Sequence, residues 1–466
     1  MNKSNGEQLR EKLFYAPKNA YERVDDQTVA ACMEYAEHYK AFMNSSKTER
    51  ECVSVALETL QKNGFVPFEY GKTYAPGTKI YFNNRDRALV FAIIGQRSLA
   101  EGVNIAAAHI DSPRLDMKPA PVYEDTELCL MKTHYYGGVK KYQWTAIPLA
   151  LHGVIVKKDG TKINVKIGEC ESDPIFCITD LLPHLSKEQY KRDLREAISG
   201  EALNVLVGSR PFLDDKVSEK VKLNILQLLF EKYDVVEEDL FSAELTAVPA
   251  FKAQDLGFDR SMIGAYGHDD KVCAYPCLTG LLASDASGKT LISVLADKEE
   301  IGSTGNTGLH ADYLKNFILD LCRSAGVNEL QCLHNSKCLS ADVNAGFDPT
   351  YPEPMERRNS SYLNYGTIIT KYTGSAGKSG TSDASAEFFA NIRRILDESG
   401  VIWQSGELGK VDAGGGGTVA KFVADLDIDV VDLGVPVLSM HAPFEVISKM
   451  DLYMTHRAVE AFFKKG

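Results

Sequence analysis

The run Leu291-Ile-Ser-Val-Leu-Ala-Asp-Lys-Glu-Glu-Ile-Gly-Ser303 begins with six mostly apolar residues and ends in a segment with three acids and a glycine. The apolar residues do not alternate with polar ones, which is typical of a strand covered on both faces in a parallel sheet. The acids Asp297, Glu299 and Glu300 then lie at the carboxyl end of this strand. Because ligands of open α/β sheets bind outside the carboxyl ends of the strands, these acids are site candidates.

Three other apolar runs end in residues of the same types. They are Val103–Ala108 before His109, Cys338–Ala341 before Asp342, and Val435–Met440 before His441. If these runs are neighbouring strands, two histidines and several acids emerge on one edge of one sheet. Imidazole and carboxylate groups together bind borderline and hard divalent ions. The sequence therefore predicts a metal site at the carboxyl edge of an α/β sheet.

Length and composition limit the class of protein. The chain has 466 residues, more than a single core usually spans, so we expect two domains. Its contents of 44% hydrophobic and 25% charged residues are typical of a globular protein. A formal net charge of −12 argues against nucleic acid or an anionic membrane as the main partner.

The cysteines and the N-terminus indicate the compartment. The ten cysteines include no C-x-x-C pair, so the simplest interpretation is reduced thiols in the cytoplasm rather than a thiolate zinc site. The first ten residues lack the apolar segment of a signal peptide. The most apolar stretch, 144–156, is interrupted by Pro148 and His152 and is too short to cross a bilayer. We expect a cytoplasmic protein.

The pattern of elements divides the chain into three parts. Residues 1–112 and 266–466 alternate helical and strand-like segments, which indicates an α/β domain. The middle part instead contains strand-like runs, a hairpin turn and charged helical segments: Leu128–Tyr136, Ile147–Val156, Asp159-Gly160, Lys187–Ser199 and Ser218–Tyr233. We predict an α/β catalytic domain, 1–112 and 266–466, interrupted by an inserted β-rich domain, 113–265, which carries no candidate ligand cluster.

Two short motifs add to the predicted metal site. Asp111 follows His109 by two residues, where its carboxylate can return to the unused ring nitrogen and fix the histidine tautomer. Asp269 and Asp270 precede a helix, and one of these carboxylates can bridge two ions with its two oxygens. His268 beside them is expected to be structural, because the other candidates already fill two coordination shells.

The adjacent acids Glu299 and Glu300 are hard to explain structurally, because like charges repel and each desolvates the other. A division of labour explains them. One glutamate can bind a metal ion while the other takes a proton from water and returns it to a leaving group.

Five motifs then show a family resemblance. In chain order they are His109-Ile-Asp, Asp269-Asp270, Asp297-Lys-Glu-Glu-Ile-Gly302, Ser340-Ala-Asp-Val-Asn344 and Met440-His-Ala442. Their sequences and order resemble those of the aspartyl aminopeptidase family of dinuclear zinc exopeptidases along nearly the whole chain. The resemblance implies a catalytic domain of the zinc exopeptidase type, a sandwich around a mostly parallel sheet. It also implies that the inserted domain dimerises the chain and that the homo-oligomer extends to a tetrahedral dodecamer.

The resemblance also assigns a role to each candidate residue. It implies two divalent ions per chain, with Zn²⁺ as the expected metal, and peptides as substrates. The implied roles are one ion on His109 and Asp342, a second on Glu300 and His441, Asp269 as the bridge and Glu299 as the general base. Asp111, placed to fix the His109 ring, is predicted as a further catalytic residue. Enzymes with similar dinuclear sites have a cis peptide at this position, so we expect the Asp269–Asp270 bond to be cis.

The predicted reaction removes N-terminal residues from peptides, and the family implies a preference for aspartate or glutamate. An acidic side chain needs a cation in its pocket, because burying an unpaired carboxylate is prohibitive. Lys371 and Lys378, in a glycine-rich loop, are the candidates for that cation. Many relatives carry an F-D-R-D run after the tryptophan of the inserted domain, which residues 142–148 lack. An acidic and a neutral preference therefore both stay open.

Two other functions fit a similar site. A dinuclear deacylase or a carboxypeptidase would use the same metals, and a requirement for the free amine or for the carboxylate of a peptide distinguishes them. A non-catalytic assembly or cargo protein could also keep the fold. Glu299 argues against that alternative, because a homologue without activity has no physical need for a second acid beside Glu300.

Overall fold

Helices and strands alternate at both ends of the chain, and strands dominate its middle part. The computed structural model describes residues 3–285 and 287–466. Within these residues, no helix combines the length and the apolar character needed to cross a membrane. The helices are α1 (Asn5–Leu13), α2 (Asp26–Ser45), α3 (Glu49–Lys62), α4 (Lys220–Tyr233), α5 (His268–Leu282), α6 (Tyr313–Ser324), α7 (Glu329–His334), α8 (Ala386–Glu398), α9 (Ala420–Ala424) and α10 (Lys449–Lys465). The strands are β1 (Val66–Pro67), β2 (Lys79–Asn84), β3 (Ala88–Ile93), β4 (Asn104–His109), β5 (Arg114–Asp125), β6 (Leu128–Tyr136), β7 (Leu149–Val156), β8 (Lys162–Ile167), β9 (Asn204–Gly208), β10 (Ala243–Pro249), β11 (Gln254–Leu256), β12 (Met262–Ala265), β13 (Leu291–Ala296), β14 (Lys337–Ala341), β15 (Asn344–Ala345), β16 (Thr367–Thr370), β17 (Trp403–Ser405), β18 (Asp429–Gly434), β19 (Pro436–Leu438) and β20 (Glu445–Ser448).

The largest sheet contains the strand that begins at Leu291. Its strand order is β1-β2-β3-β13-β4-β14-β18-β16-β17. The central strand β4 is parallel to β13 on one side and to β14 on the other. Every residue of β4 and β13 is buried. The unbroken apolar runs therefore form strands covered on both faces, as the sequence predicts.

Two hydrophobic cores cover the two faces of this sheet. Along β4, Ala106 and Ala108 face a core shared with α2, α3, α5, α8 and α10. Ile105 and Ala107 face a second core, shared with α6, α7 and α9. This division follows from the strand itself, because successive side chains point to opposite faces. The helices leave the carboxyl ends of the central strands as the place for a site.

The run that precedes His441 does not join this sheet, so the prediction of one shared edge was wrong for that histidine. β18 pairs with β14 instead, and β19 lies in a smaller sheet of order β11-β12-β20-β19-β15. β18 ends at Gly434, and β19 begins at Pro436. A Cβ at Gly434 would lie 1.7 Å from the Asp342 carbonyl oxygen, so this close approach of the backbone requires glycine. His441 therefore reaches the site from a second sheet.

Residues 114–249 contribute an antiparallel sheet of order β8-β7-β10-β5-β6-β9. β6 has the predicted bounds, and β7 pairs with β8 across the hairpin that contains Asp159. The core of this sheet includes Trp144, whose side chain is fully buried. The chain is thus a mixed α/β protein with several sheets, which agrees with the predicted fold class.

The segment 187–199 is not the helix that its pattern predicts. It forms turns, with a 3₁₀ helix at Gln189–Lys191. Tyr190 and Leu194 are 72% and 63% exposed. Most helical stability in proteins comes from packing an apolar face, and these two apolar side chains are mostly exposed.

A buried ionic network joins α3, the large sheet and the antiparallel sheet. The carboxylate of Glu49 lies 2.9 Å from Arg87 and 2.7 Å from Arg114. Arg87 also lies 3.0 Å from Asp297, so this site candidate is engaged in a structural contact. Removing one partner of a buried pair costs about 3–5 kcal/mol. These contacts therefore fix β5 against α3 and against the end of β13.

Candidate metal centre and active site

Three neighbouring strands deliver four of the predicted site residues. His109 is the last residue of β4, and Asp342 follows the end of β14. Glu299 and Glu300 begin a 3₁₀ turn after β13. Because these strands are parallel neighbours, their carboxyl ends lie side by side. The structure therefore brings the four side chains together at one edge of the large sheet.

Asp269 lies at the centre of the group. Its Oδ1 is 3.0 Å from His109 Nε2, and its Oδ2 is 3.1 Å from His441 Nε2. Asp269 lies at the start of α5, and its peptide bond to Asp270 is cis, as predicted. One carboxylate therefore faces both histidines, with one oxygen for each.

The remaining acids surround the two histidines at longer distances. Asp342 Oδ1 is 3.8 Å and Glu299 Oε2 is 3.9 Å from His109 Nε2. Glu300 Oε2 is 3.5 Å from His441 Nε2. Within the described ranges, the other Glu300 oxygen, Oε1, is buried without a hydrogen-bond partner. A buried oxygen of this kind needs an explanation, and a bound cation provides one.

Both histidines point Nδ1 at a carbonyl oxygen, an orientation that suits a metal ligand. His109 Nδ1 donates to the Asp111 backbone oxygen at 3.0 Å and lies 3.3 Å from the Asp111 carboxylate. His441 Nδ1 donates to the carbonyl oxygen of Gly138 at 3.0 Å. A neutral histidine that donates from Nδ1 presents an unprotonated Nε2. Both of these Nε2 atoms face Asp269.

The Asp111 carboxylate also fixes the turn that carries the two glutamates. One oxygen accepts the backbone N–H of Glu299 and the other accepts that of Glu300, each at 3.1 Å. The Tyr136 hydroxyl donates to the second oxygen at 2.8 Å. Burial acts to raise the pKa of Asp111, but hydrogen bonds from His109 and Tyr136 hold it below its ordinary value. Asp111 thus positions a histidine and both glutamates.

Glu445 belongs to the site and was missed by sequence reasoning. Its carboxylate accepts the backbone N–H of Asp269 at 3.0 Å and that of His441 at 2.6 Å. The side chain is almost completely buried, and burial raises the pKa of Glu445 to about 8. The available signal was an acid inside the apolar run Phe444-Glu-Val-Ile447, because a fully buried acid normally has a partner.

His268 has a structural environment, as predicted. Its Nδ1 accepts a hydrogen bond from the Tyr39 hydroxyl at 2.8 Å, and its Nε2 donates to the Ile263 carbonyl oxygen at 3.2 Å. Burial lowers the pKa of His268 to about 3. The ring is therefore neutral and has no nitrogen left for a metal.

The donor set fits divalent cations such as zinc. Two groups of three residues place their ligand atoms within 4.8 Å of one another: His109, Asp269 and Glu300, and His109, Asp270 and Asp342. Burial, together with the neighbouring carboxylates, raises the pKa of Glu299 to about 7 and that of Glu300 well above its ordinary value. Bound cations would reduce the repulsion between these carboxylates. Imidazole and carboxylate groups together are also ligands that zinc accepts. Asp270 joins the candidates through the second group.

A cavity of about 450 Å³ contains the metal centre. Besides the predicted ligands, its walls include Thr373, the glycine run 415–417, Lys421 and Phe422. The Lys421 ammonium lies 4.7 Å from the centroid of the Phe422 ring. Among the described lining residues, Lys421 is the one lysine or arginine. The cavity therefore combines a cluster of acids with a single side-chain ammonium.

The structure does not bring Lys371 and Lys378 into this wall. Both ammonium groups pair with Asp383, at 2.6 and 2.8 Å. Lys378 also lies over the ring of Tyr372, 3.8 Å from its centroid. These two lysines were candidates because they lie in a glycine-rich loop, whereas the lysine that lines the cavity, Lys421, lies at the start of α9.

Comparison with known families decides the chemistry of this cavity. The family model described as aminopeptidase I zinc metalloprotease (M18) matches residues 42–463. The chain belongs to this family. It is a zinc aminopeptidase, a hydrolase that acts on the N-terminal end of peptides, as the motifs predict. Family membership therefore favours this activity over the deacylase, carboxypeptidase and non-catalytic alternatives.

Individual relatives support the assignment over the whole chain. A probable M18 family aminopeptidase 1 of Clostridium acetobutylicum is 49% identical over 453 residues, which cover 96% of this chain and 97% of the relative. The crystal structure of an M18 aminopeptidase from Thermotoga maritima has a TM-score of 0.93 at 42% identity, covering 97% of this chain and 100% of that chain. A dodecamer structure of yeast aminopeptidase 1 has a TM-score of 0.76 at 20% identity, covering 92% and 96%, and shares the fold.

We expect Tyr136→Phe to bind zinc about 10–100 times more weakly, because the loss of the hydroxyl removes a donor from Asp111 and loosens the ring of His109. The matched control is Tyr135→Phe, which changes the neighbouring tyrosine with a 42% exposed side chain. Competition with a chelator of known affinity measures the binding. Equal affinities for the two variants would show that the hydroxyl does not support the metal centre.

Proposed function

We propose that the centre holds two divalent ions, with zinc in both positions. His109 and Asp342 hold one ion, Glu300 and His441 hold the other, and Asp269 bridges them. The observation that carries this proposal is the orientation of Asp269, whose two oxygens face the two histidines at 3.0 and 3.1 Å. The unpaired buried oxygen of Glu300 supports it.

Glu299 is the general base in this proposal. The bound ions would supply Lewis acidity to activate water and to polarise the scissile carbonyl. Glu299 lines the cavity, and Asp111 fixes its backbone N–H. Its neighbour Glu300 lies closer to a histidine, at 3.5 Å, and therefore suits a ligand. Glu299 then remains free to take a proton from water and to return it to the leaving amine.

Replacing each glutamate by glutamine, its isosteric amide, tests this assignment of roles to Glu299 and Glu300. Glu299→Gln is expected to lower kcat by about 100-fold to 10,000-fold with its zinc content unchanged, because the amide cannot carry the proton. Glu300→Gln is the matched variant and is expected to lose zinc. Kinetics on a peptide substrate and elemental analysis measure the two effects. If Glu299→Gln kept its activity but lost metal, the two roles would have to be exchanged.

We also propose that the enzyme prefers an N-terminal aspartate or glutamate and that Lys421 recognises the acidic side chain. The carboxylate of such a substrate needs a cation once it is enclosed. Lys371 and Lys378 are engaged by Asp383, whereas Lys421 lines the cavity of the metal centre. The position of Lys421 therefore supports an acidic pocket with a different lysine from those predicted.

The preference is tested with peptides that differ only in their first residue, Asp, Glu or Leu. We expect kcat/KM to be higher for the acidic peptides, and Lys421→Met to lower it for them by about 30-fold, the factor for ~2 kcal/mol at an enclosed charge pair. Activity on the leucine peptide should not fall. Lys371→Met is the matched control and should change none of the three values. A preference of the unchanged enzyme for leucine would contradict the acidic pocket.

Residues 113–265, we propose, form an inserted dimerisation domain, with the catalytic domain made of residues 1–112 and 266–466. The antiparallel sheet lies wholly inside the proposed insertion, and none of the proposed metal ligands does. The segment 181–194 of the insertion exposes five large apolar side chains, each between 46% and 72%: Leu181, Leu182, Leu185, Tyr190 and Leu194. Exposed apolar patches of this kind mark contacts with other chains.

We propose that these contacts build a closed particle of twelve chains. Closed point-group symmetry is the usual way in which a repeated contact terminates. The yeast aminopeptidase 1 structure with the same fold is a dodecamer. Twelve sites around an enclosed space would admit unfolded peptides and exclude folded proteins.

Light scattering at dilute protein concentration measures the assembly. We expect a mass near twelve times 51.4 kDa for the zinc-loaded enzyme. Leu185→Asp and Leu194→Asp together should reduce that mass, because two charges then face the partner chain. Asp substitutions at the exposed Leu330, outside the insertion, serve as the control. A mass near twice 51.4 kDa that does not grow when metal is added would contradict the dodecamer.

The cytoplasm is the compartment that we propose for this enzyme. All ten cysteines are free thiols, and eight of them are buried. Disulfides are rare where thiols are kept reduced, so free cysteines are the expected state there.

A further inference from the structure

One buried acid of the large sheet belongs neither to the metal centre nor to the ionic network of Glu49. Asp432 lies within β18, among buried apolar residues such as Val431 and Leu433, and is itself 3% exposed. Within the described residues, no cationic side chain pairs with it, and its Oδ2 has no hydrogen-bond partner. Burying a carboxylate with so few partners costs folding free energy, so its presence calls for an explanation.

Asp432 contacts the wall of the metal cavity through Thr418. The Thr418 hydroxyl donates to Asp432 Oδ1 at 2.7 Å and accepts the backbone N–H of Ala420 at 3.3 Å. Burial raises the pKa of Asp432 to about 6, so at neutral pH the side chain is a carboxylate, which only accepts hydrogen bonds. The hydroxyl hydrogen therefore belongs to Asp432, and the hydroxyl oxygen remains as an acceptor for α9. One side chain thus connects the large sheet to the start of that helix.

The residues on both sides of Thr418 line the metal cavity. They are Gly415, Gly416, Gly417, Lys421 and Phe422. Glycines present only backbone to a cavity, and their conformational freedom means that the run does not hold a position by itself. On one side the run packs against the loop of the predicted lysines, because a Cβ at Gly415 would lie 2.5 Å from the Gly374 carbonyl oxygen. Thr418 is where this wall, residues 415–422, is attached to the sheet.

We infer that Asp432 is a positioning residue for substrate selection: through Thr418 it holds the 415–422 wall in the place where that wall contacts the side chain of the first residue of the peptide. This inference rests on the proposed recognition of that side chain by Lys421. Lys421 follows Thr418 by only three residues, so a displacement of Thr418 moves the ammonium as well. Asp432 itself is not among the described residues that line the cavity, and it therefore acts through Thr418.

Kinetics with the Asp, Glu and Leu peptides test the inference on the zinc-loaded full chain. The quantity measured is the ratio of kcat/KM between the best and the poorest of the three peptides. We expect Asp432→Ala to reduce this ratio by about tenfold, because a misplacement of 1 Å can cost up to about 100-fold. Its zinc content should not change, since Asp432 is not part of the metal centre. Asp432→Asn should keep the ratio, because the amide oxygen can still accept the Thr418 hydrogen.

The other end of the hydrogen bond gives a second test. Thr418→Val removes the hydroxyl and should reduce the ratio as Asp432→Ala does. The double variant should be no worse than either single variant, because both changes remove the same contact. Asp451→Ala is the matched control, since Asp451 is a fully buried acid that accepts backbone N–H groups outside the cavity lining. It should lower the unfolding temperature and leave the ratio unchanged.

The result that would overturn the inference is an Asp432→Ala enzyme that folds, retains zinc and keeps the ratio. If that variant does not fold, an unchanged ratio in Thr418→Val overturns it equally. Additive effects of the two changes, or an unchanged enzyme that cleaves all three peptides equally well, would also do so. A preference of the unchanged enzyme for leucine contradicts the acidic pocket instead, and the change in the ratio then still decides the role of Asp432.

Discussion

Four donors converge on the Asp111 carboxylate and its backbone oxygen: the ring of His109, the backbone N–H groups of Glu299 and Glu300, and the hydroxyl of Tyr136. These donors come from three different strands or their ends. A buried carboxylate with several donors is a rigid point, because moving any one partner leaves a charge without compensation. The relative positions of the proposed ligand His109 and the proposed base Glu299 therefore depend on the side chain of Asp111.

Glu445 has an equivalent positioning role on the side of the site where His441 lies. It accepts the backbone N–H groups of Asp269 and His441, and so fixes the position of Asp269 relative to the second histidine. Asp111 and Glu445 thus fix the backbone of the site. The other acids of the site are then available to bind metal ions. Carboxylates that accept backbone N–H groups position the chain without competing for a metal.

The sequence was sufficient to predict the part of the site that depends on strand ends. His109, Glu300 and Asp342 each follow an unbroken apolar run, and parallel strands with such runs bring their carboxyl ends together. The sheet of His441 could not be predicted in this way, because β18 pairs with β14 whereas β19 pairs with β15 and β20 in the smaller sheet. The run before His441 is as apolar as the others, and apolarity alone does not say which sheet a strand joins.

Tyr136 and Glu445 were missed for a related reason. Each contacts residues far away in the chain, and no local spacing marks such a pair; for Glu445 the one local signal was its position inside an apolar run. Lys371 and Lys378 show the reverse case. Their loop looked suitable in composition, but Asp383 lies close enough in the chain to engage both of them.

The position of Tyr136 and Gly138 has a consequence for the life of the newly made chain. Tyr136 is the last residue of β6, Gly138 follows it closely, and their contacts orient His109, through Asp111, and His441 directly. A polypeptide whose large sheet has formed, but whose antiparallel sheet has not yet docked, lacks the acceptor for one imidazole and a support for the other. Neither histidine has its native orientation in such a chain, so the docking of the antiparallel sheet is a precondition for a complete site.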